Sequence, residues 1–440
     1  ISGSLWSALS SYGSQIFGLI VFIILSRTLT PEDFGVVALA IVFIEILSFL
    51  GRLGLTEIIV KEDVDDHLRS TAFWCTFIAG VLFSVGLFFA APFIASAFGI
   101  ERLQGVVEAV SVVPLLFALG TVPEALMRKE YQFKKLAYRT LFATIVSGVV
   151  GIYMALNGFG VYSLVAQRVL LAALLTVFMW MFSGWFPGFS GSFEKLKYLS
   201  QQGVPLISSD MLRVFTYKLK DIIIGFFLGA EALGYLRIAA RMVDFAVKLL
   251  VSPILSVGMS VFAELKSNLE LMKKAFLDLI QGCAVLVLPA FLGMAVVAPD
   301  LVHLVFGEKW DVSVALMQVL CLASISLTIN YFFKPLMVAL GNTKIVLWVN
   351  IFQLIITLIF CAIASQFSLM MVMVGEFVAL TLVTLFMIWL MTRAIHLSFS
   401  ELFYRFVPSV TSAIFMLIVL LTLKHTVTNA LPEIFALSLL

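Results

Sequence analysis

Apolar runs long enough to cross a bilayer follow one another along nearly all of this 440-residue chain, leaving only short gaps between them. A helix needs about 20 apolar residues to span the hydrocarbon layer. Such runs cover 5–26, 34–56, 72–97, 104–126, 138–156, 160–182, 203–228, 232–262, 275–297, 312–340, 345–365, 368–392 and 402–423, and Leu431 to Leu440 begins a further one. A membrane barrel would instead show short segments of alternating polarity. With 62% hydrophobic and 12% charged residues, the excess cannot be hidden inside a water-soluble globule, which still has to present a polar surface. The expected class is an all-α integral membrane protein of 12–14 transmembrane helices.

The gaps are too short to house a catalytic domain; Asn157-Gly158-Phe159-Gly160 and Ser365-Gln366-Phe367-Ser368 allow only tight hairpins. Cys75, Cys283, Cys321 and Cys361 each sit inside an apolar run without CxxC or CxxH spacing, and read as small packing residues. There is no HExxH among the four histidines, so no metal or other cofactor is expected. Ile1 in place of methionine, and a last run without a closing flank, read as a chain trimmed at both ends. Leu5 to Leu25 reads as a span rather than a cleavable signal.

Basic residues set the expected orientation. Even-numbered connections carry fifteen (Lys61, Arg69, Arg128, Lys129, Lys134, Lys135, Arg139, Lys195, Lys197, Lys266, Lys273, Lys274, Lys344, Arg393 and Arg405), against Arg27, Arg102, Lys309 and Lys424 in the odd ones. This puts the even connections and the N-terminus in the cytoplasm. Met127 to Arg139, where bases alternate with Tyr131, Phe133 and Leu136, is expected to lie on the inner leaflet as an interfacial helix.

The chain also repeats itself. Leu29-Thr30-Pro31-Glu32-Asp33-Phe34-Gly35 after span one returns as Leu228-Gly229-Ala230-Glu231-Ala232-Leu233-Gly234 after span seven. Ala91-Pro92, closing on Phe98-Gly99, returns as Ala298-Pro299, closing on Phe306-Gly307, and Pro123 is matched by Pro335. Copies six helices apart run in the same direction, as in parallel repeats whose substrate site lies between halves. The expected organisation is two parallel-repeat six-helix lobes around a central cavity: 1–182 as the N-terminal lobe, 183–202 as a cytoplasmic linker, 203–395 as the C-terminal lobe, and 396–440 as spans 13 and 14.

With Arg139 and Arg405, at span ends, counted among the connections, nine bases remain inside spans: Arg52, Arg168, Arg213, Lys218, Lys220, Arg237, Arg241, Lys248 and Lys334. Facing lipid, each would cost about 2.5–3.5 kcal/mol, or roughly 25 kcal/mol together. At 100° per residue, Arg237, Arg241, Asp244 and Lys248 share a stripe about 60° wide. Asp210, Arg213, Tyr217, Lys220 and Asp221 share another, with Lys218 to one side. Span one offers Ser4, Ser7, Ser11, Ser14 and Gln15, and span two Glu45, Ser48 and Arg52, on single faces. Ion pairing (Asp221 with Arg241, Lys220 with Asp244) or snorkelling of Arg52, Arg168 and Lys334 accounts for part of this. Six acids lie deeper in the spans, however (Glu45, Glu108, Asp210, Asp221, Asp244 and Glu376), with Glu57, Glu124 and Asp278 at span ends. The surplus suits an anionic ligand such as a pyrophosphate, bound by Arg213, Lys218, Lys220, Arg237, Arg241, Lys248, Arg52 and Lys334.

The runs Asp221 to Tyr235 (with Gly225, Gly229 and Gly234), Ala298 to Trp310, Arg27 to Gly35 and Phe133 to Ala137 resemble Wzx-type polysaccharide flippases of the multidrug/oligosaccharidyl-lipid/polysaccharide exporter superfamily, in the colanic-acid and lipopolysaccharide exporter branch. The resemblance implies a flippase for undecaprenyl-pyrophosphate-linked oligosaccharide repeat units in the bacterial inner membrane, working by alternating access. It implies as partners the lipid-linked oligosaccharide, membrane lipid and polysaccharide polymerase machinery, with no nucleic acid. It implies no enzyme and no nucleotide site, and the chain has no GxxxxGK[ST] loop. Asp210, Asp221, Asp244 and Glu376 are the candidates for a coupling carboxylate. Rival readings are a cation-coupled multidrug exporter, which calls for an acidic rather than basic surplus, a membrane-bound polysaccharide polymerase or ligase, which calls for a large external loop, and a scaffolding protein.

Overall fold

In lipid no water is available to satisfy backbone N–H and C=O groups, so each apolar run closes its hydrogen bonds within itself as a helix. The computed structural model describes residues 2–52, 55–61, 65–189 and 193–437; side chains of 2–11, 57, 61, 193–209, 327, 328 and 423–437 lie outside that description. Ser4, Ser7, Ser11, Lys61, Lys195, Lys197 and Lys424 fall in this group. All regular structure among the described residues is helical. The first eight helices are α1 (Ser2–Thr28), α2 (Pro31–Arg52), α3 (Leu55–Lys61), α4 (Asp66–Phe98), α5 (Glu101–Val110), α6 (Val113–Lys129), α7 (Phe133–Leu156) and α8 (Val161–Ser183). The rest are α9 (Phe193–Glu264), α10 (Leu269–Val305), α11 (Val312–Ala339), α12 (Thr343–Ala364), α13 (Leu369–Ala394) and α14 (Phe399–Leu437), with a 3₁₀ turn at Glu308–Trp310.

Among the described residues eleven segments are long and apolar enough to cross a membrane, and Tyr12–Thr28 of α1 is a shorter apolar helix. Seventh and eighth spans appear as one α9, yet Gly229 breaks it: φ 84° and ψ 175° are not helical. Large apolar side chains such as Phe89, Phe93 and Phe415 stand fully outward. A water-soluble surface does not carry so many, whereas a lipid-facing one does. The protein is a multi-pass membrane protein.

Several boundaries differ from expectation for local reasons. Span four is split into α5 and α6 where Pro114 opens the second helix. No interfacial helix covers 127–139; α6 ends at Lys129, Tyr131 turns with φ 56°, and α7 starts at Phe133. Residues 184–189 after α8 are outside regular structure, and Phe193 is already helical. Gly188 pins this stretch to α4, donating its N–H to Ser70 Oγ (2.9 Å) and accepting from Trp74 Nε1 (2.9 Å). The backbone of α14 runs on to Leu437 without a break at the expected start of a fourteenth span.

The chain divides into two compact units, Ile1–Arg237 and Ile238–Leu440. In the first, α1 packs on α7, α7 on α8, α4 on α6, and α2 against α4, α5, α6 and α8. One cluster there joins Leu55, Ile58 and Ile59 of α3 to Phe73 of α4 and Leu126 of α6. In the second, α10 packs against α11 and α14, and α13 against α11 and α12.

The repeated turns explain their own glycines. Thr30 and Asp33 cap α2 reciprocally: Thr30 N–H donates to Asp33 Oδ2 (3.1 Å) and Asp33 N–H to Thr30 Oγ1 (3.2 Å), with Pro31 at the first helical position. The turn at Gly229 then lies directly against this cap. A Cβ at Gly35 would sit 1.6 Å from the Ala230 carbonyl oxygen, and one at Gly234 1.9 Å from the Pro31 carbonyl oxygen. The seventh position of each heptapeptide thus packs on the third position of the other. This is the reciprocity of a local two-fold contact. Nearby, a Cβ at Gly225 would meet Leu39 Cδ2 at 2.3 Å, and Phe226 meets Phe98 edge to face at 5.9 Å.

Candidate functional site

Helix α2 carries Glu45 on the face turned toward α8 and the first limb of α9. Its carboxylate is shared: Lys218 Nζ lies 2.6 Å from Oε2, and Arg168 Nη2 lies 3.4 Å from Oε1. Three residues from three helices therefore meet at one carboxylate, two bases to one acid. Glu45 is 37% exposed and Lys218 15% exposed, so the cluster is desolvated on the base side and open on the acid side. In such a half-dry setting a single carboxylate faces two cations and offsets the charge of one.

Helix phase alone set Lys218 apart from the charged stripe of span seven, yet it is Lys218 that reaches across to α2. On the stripe itself, Arg213 is 58% exposed and lies 3.8 Å from Asp210, one turn away. Lys220 is buried, with Nζ 6.0 Å from the Tyr217 ring centroid. Asp221 is buried and bonded to Arg237, which reaches it across the Gly229 break. The pairing expected between Asp221 and Arg241 is therefore replaced by one with Arg237, one turn earlier. The reason is geometric: the break at Gly229 folds the start of the second limb back beside Asp221.

The second unit holds the remaining expected residues. Arg241 is half-buried with Asp244 in electrostatic reach; Asp244 and Lys248 are exposed. Lys334 is exposed on α11, and Glu376 is buried on α13.

Arg52, at the last residue of α2, is exposed and stands 5.8 Å from the Phe117 ring centroid. It lines a cavity of about 420 Å³ together with Arg128, Arg139 and Glu124. From the sequence, Arg128 and Arg139 are expected among the connection charges. Because α7 begins at Phe133, Arg139 is instead carried roughly 9 Å into the helix, where it is buried. The available signal was the Glu124–Arg128 spacing of four, which marks a helix continuing past the expected end of span four. No group of three or more metal-ligating side chains occurs among the described residues.

Comparison with known proteins agrees with this architecture. The chain is 24% identical over 439 residues to the succinoglycan biosynthesis transport protein ExoT of Rhizobium meliloti (strain 1021), covering 98% of this chain and 88% of that one. It is 23% identical over 361 residues to the lipopolysaccharide biosynthesis protein WzxC of Escherichia coli (strain K12), covering 80% and 72%. The lipid II flippase MurJ, in an inward closed conformation, shares the fold with a TM-score of 0.71 at 12% identity, over 97% of this chain and 100% of that one. The model of the family described as polysaccharide biosynthesis protein matches residues 24–315, and this chain belongs to that family.

Proposed function

We propose that this protein is a flippase that carries undecaprenyl-pyrophosphate-linked oligosaccharide repeat units across the bacterial inner membrane, for extracellular polysaccharide or lipopolysaccharide synthesis. The observation that carries the reading is the under-compensated cation cluster of α2, α8 and α9, in which Arg168 and Lys218 share Glu45. An anion desolvated among guanidinium and ammonium groups is held by charge-assisted hydrogen bonds, and a pyrophosphate diester has the oxygens for them. The names of the relatives, a succinoglycan transport protein and a lipopolysaccharide biosynthesis protein, point to the same class of cargo.

In this reading the N-terminus is cytoplasmic, the two parallel repeats form lobes that rock about a central cavity, and no bond is made or broken. The cavity bases are Arg213, Lys218, Lys220, Arg237, Arg241, Lys248, Arg52 and Lys334; Asp210, Asp221, Asp244 and Glu376 are the groups from which coupling to an ion gradient would draw. The reciprocal Gly35–Ala230 and Gly234–Pro31 packing then closes the periplasmic end, and export requires that it separate. A multidrug exporter of the same fold is disfavoured by the sign of the charge.

The test is a deletion strain. Lipid-linked repeat units accumulating on the cytoplasmic leaflet, cleared by the wild-type gene and not by a Lys218→Ala/Arg168→Ala variant that still inserts, is the expected outcome. Absence of accumulation in the deletion strain overturns the reading.

A further inference from the structure

At the start of α2, the end opposite Arg52, the beginnings of α5 and α8 converge on a second cavity, of about 640 Å³. Glu32 and Asp33 line it from α2, Arg102 from α5, Phe159 and Tyr162 from the turn into α8, and Glu231 from just past the Gly229 break. The turn into α8 is local in origin. Gly158 and Gly160 take φ 82° and 54°, which reverses the chain between two spans and leaves the Phe159 ring half-exposed. Tyr162, also half-exposed, lies over α5 because Gly105 has no side chain; a Cβ there would come within 2.7 Å of the Tyr162 hydroxyl.

The polar groups here are only half used. Asp33 is buried and gives Oδ2 to the Thr30 cap, 2.8 Å from the hydroxyl, while its Oδ1 faces Arg102 Nη1 at 3.9 Å, beyond hydrogen-bonding reach. An acceptor and a charged donor held just too far apart suit a group that accepts from one and donates to the other, as a hydroxyl does. Glu231 accepts from the Tyr235 hydroxyl through Oε1 (2.9 Å), and Glu32 is exposed. Three helix starts, each equivalent to roughly half a positive charge, join Arg102 in offsetting the three lining carboxylates. The recess is thus close to neutral, yet it sets donors and acceptors beside two aromatic rings.

We infer that this recess binds a neutral saccharide ring. A pyranose presents hydroxyls at its edge, able to bridge Asp33 and Arg102, and a C–H face that packs on an aromatic ring. An anion would meet three carboxylates, and an acyl chain would leave the polar groups unpaired. The volume lies within the range of small-ligand sites. Aromatic residues that merely mark a membrane interface do not account for a carboxylate and a guanidinium opposed in the same cavity. The inference rests on the flippase reading and deepens it. In the orientation proposed above this end faces the periplasm, so the recess would take the saccharide on the side where it is delivered.

The experiment is saturation-transfer NMR on the purified full-length chain in a polyoxyethylene detergent, which has no sugar headgroup to compete. The probe is cellotetraose, a neutral glucose oligomer, with glycerol and inorganic pyrophosphate as competitors at equal concentration. Saturable binding is expected, with transfer to the ring C–H protons, and neither competitor should displace it. Phe159→Ala and Arg102→Gln, both at exposed positions, should each weaken binding by about fivefold or more. Phe367→Ala, at an exposed aromatic on the turn between α12 and α13, should leave it unchanged. No saturable binding, displacement by either competitor, or an affinity that neither Phe159→Ala nor Arg102→Gln alters overturns the site and leaves Phe159 and Tyr162 as interface aromatics. Those outcomes are separable from failure of the flippase reading, which is scored in cells by accumulation of lipid-linked repeat units and needs no purified protein.

Discussion

Replacing Glu45 by Gln removes the charge that holds two helices to α2 while keeping the side-chain shape. At 2.6 Å and an effective dielectric of 20, the Lys218–Glu45 attraction is about 6 kcal/mol before desolvation is counted. Breaking a fully buried pair costs about 3–5 kcal/mol and an exposed one about 0–1. With Lys218 nearly buried and Glu45 over a third exposed, the expected loss lies between, at about 2 kcal/mol. The weaker Arg168 contact at 3.4 Å adds little. For a unit of this size that loss lowers the unfolding midpoint by about 4–8 °C.

The assay is thermal unfolding of purified protein in detergent, followed by a thiol-reactive dye that reports exposure of Cys75, the half-buried thiol of the same unit. A double-mutant cycle with Lys218→Met completes it: once the cation is gone, the Glu45→Gln cost should fall to a fraction of its value. Midpoints within about 1 °C of wild type, or costs that simply add in the double variant, would refute the argument that these two charges are coupled.

Four further outcomes follow from the same structure. Gly35→Ala or Gly234→Ala places a Cβ against a backbone carbonyl, so the close packing of the two turns cannot form and saccharide export should be lost, measured as accumulation of lipid-linked repeat units, whereas Gly86→Ala, where nothing lies within 4 Å, should be tolerated. Asp221→Asn leaves Arg237 without its carboxylate and should lower the thermal midpoint more than Asp221→Asn/Arg237→Gln does. Thr30→Val removes one half of the α2 cap and should cost about 1 kcal/mol in denaturant-midpoint measurements. Arg241→Ala should abolish saccharide export with insertion intact, and Arg241→Lys should keep part of it if charge outweighs the bidentate fork.

Most of the helices were legible because hydropathy and caps are local. Asp65 and Ser368 announce α4 and α13 through side-chain caps, and Gly99 ends α4 in the left-handed conformation. The turns around Gly35 and Gly234 were legible as repeats, but not as partners. Bases and acids inside the spans stand out in the sequence by type, but their pairing does not: Lys218 lies off the charged stripe yet reaches Glu45, Asp221 bonds to Arg237 rather than Arg241, and Arg139 belongs to α7 rather than to a connection.

By itself, then, the sequence determined a bundle of membrane-crossing helices carrying a surplus of bases, since burying apolar runs and satisfying backbone groups are decided within a single helix. Only the tertiary structure decided that Arg168 and Lys218 converge on Glu45, or that Arg52, Arg128 and Arg139 share a recess. Those meetings depend on the rotation and axial register of helices far apart in sequence. A one-residue slip, about 1.5 Å along the axis and 100° around it, would give each charge a different neighbour.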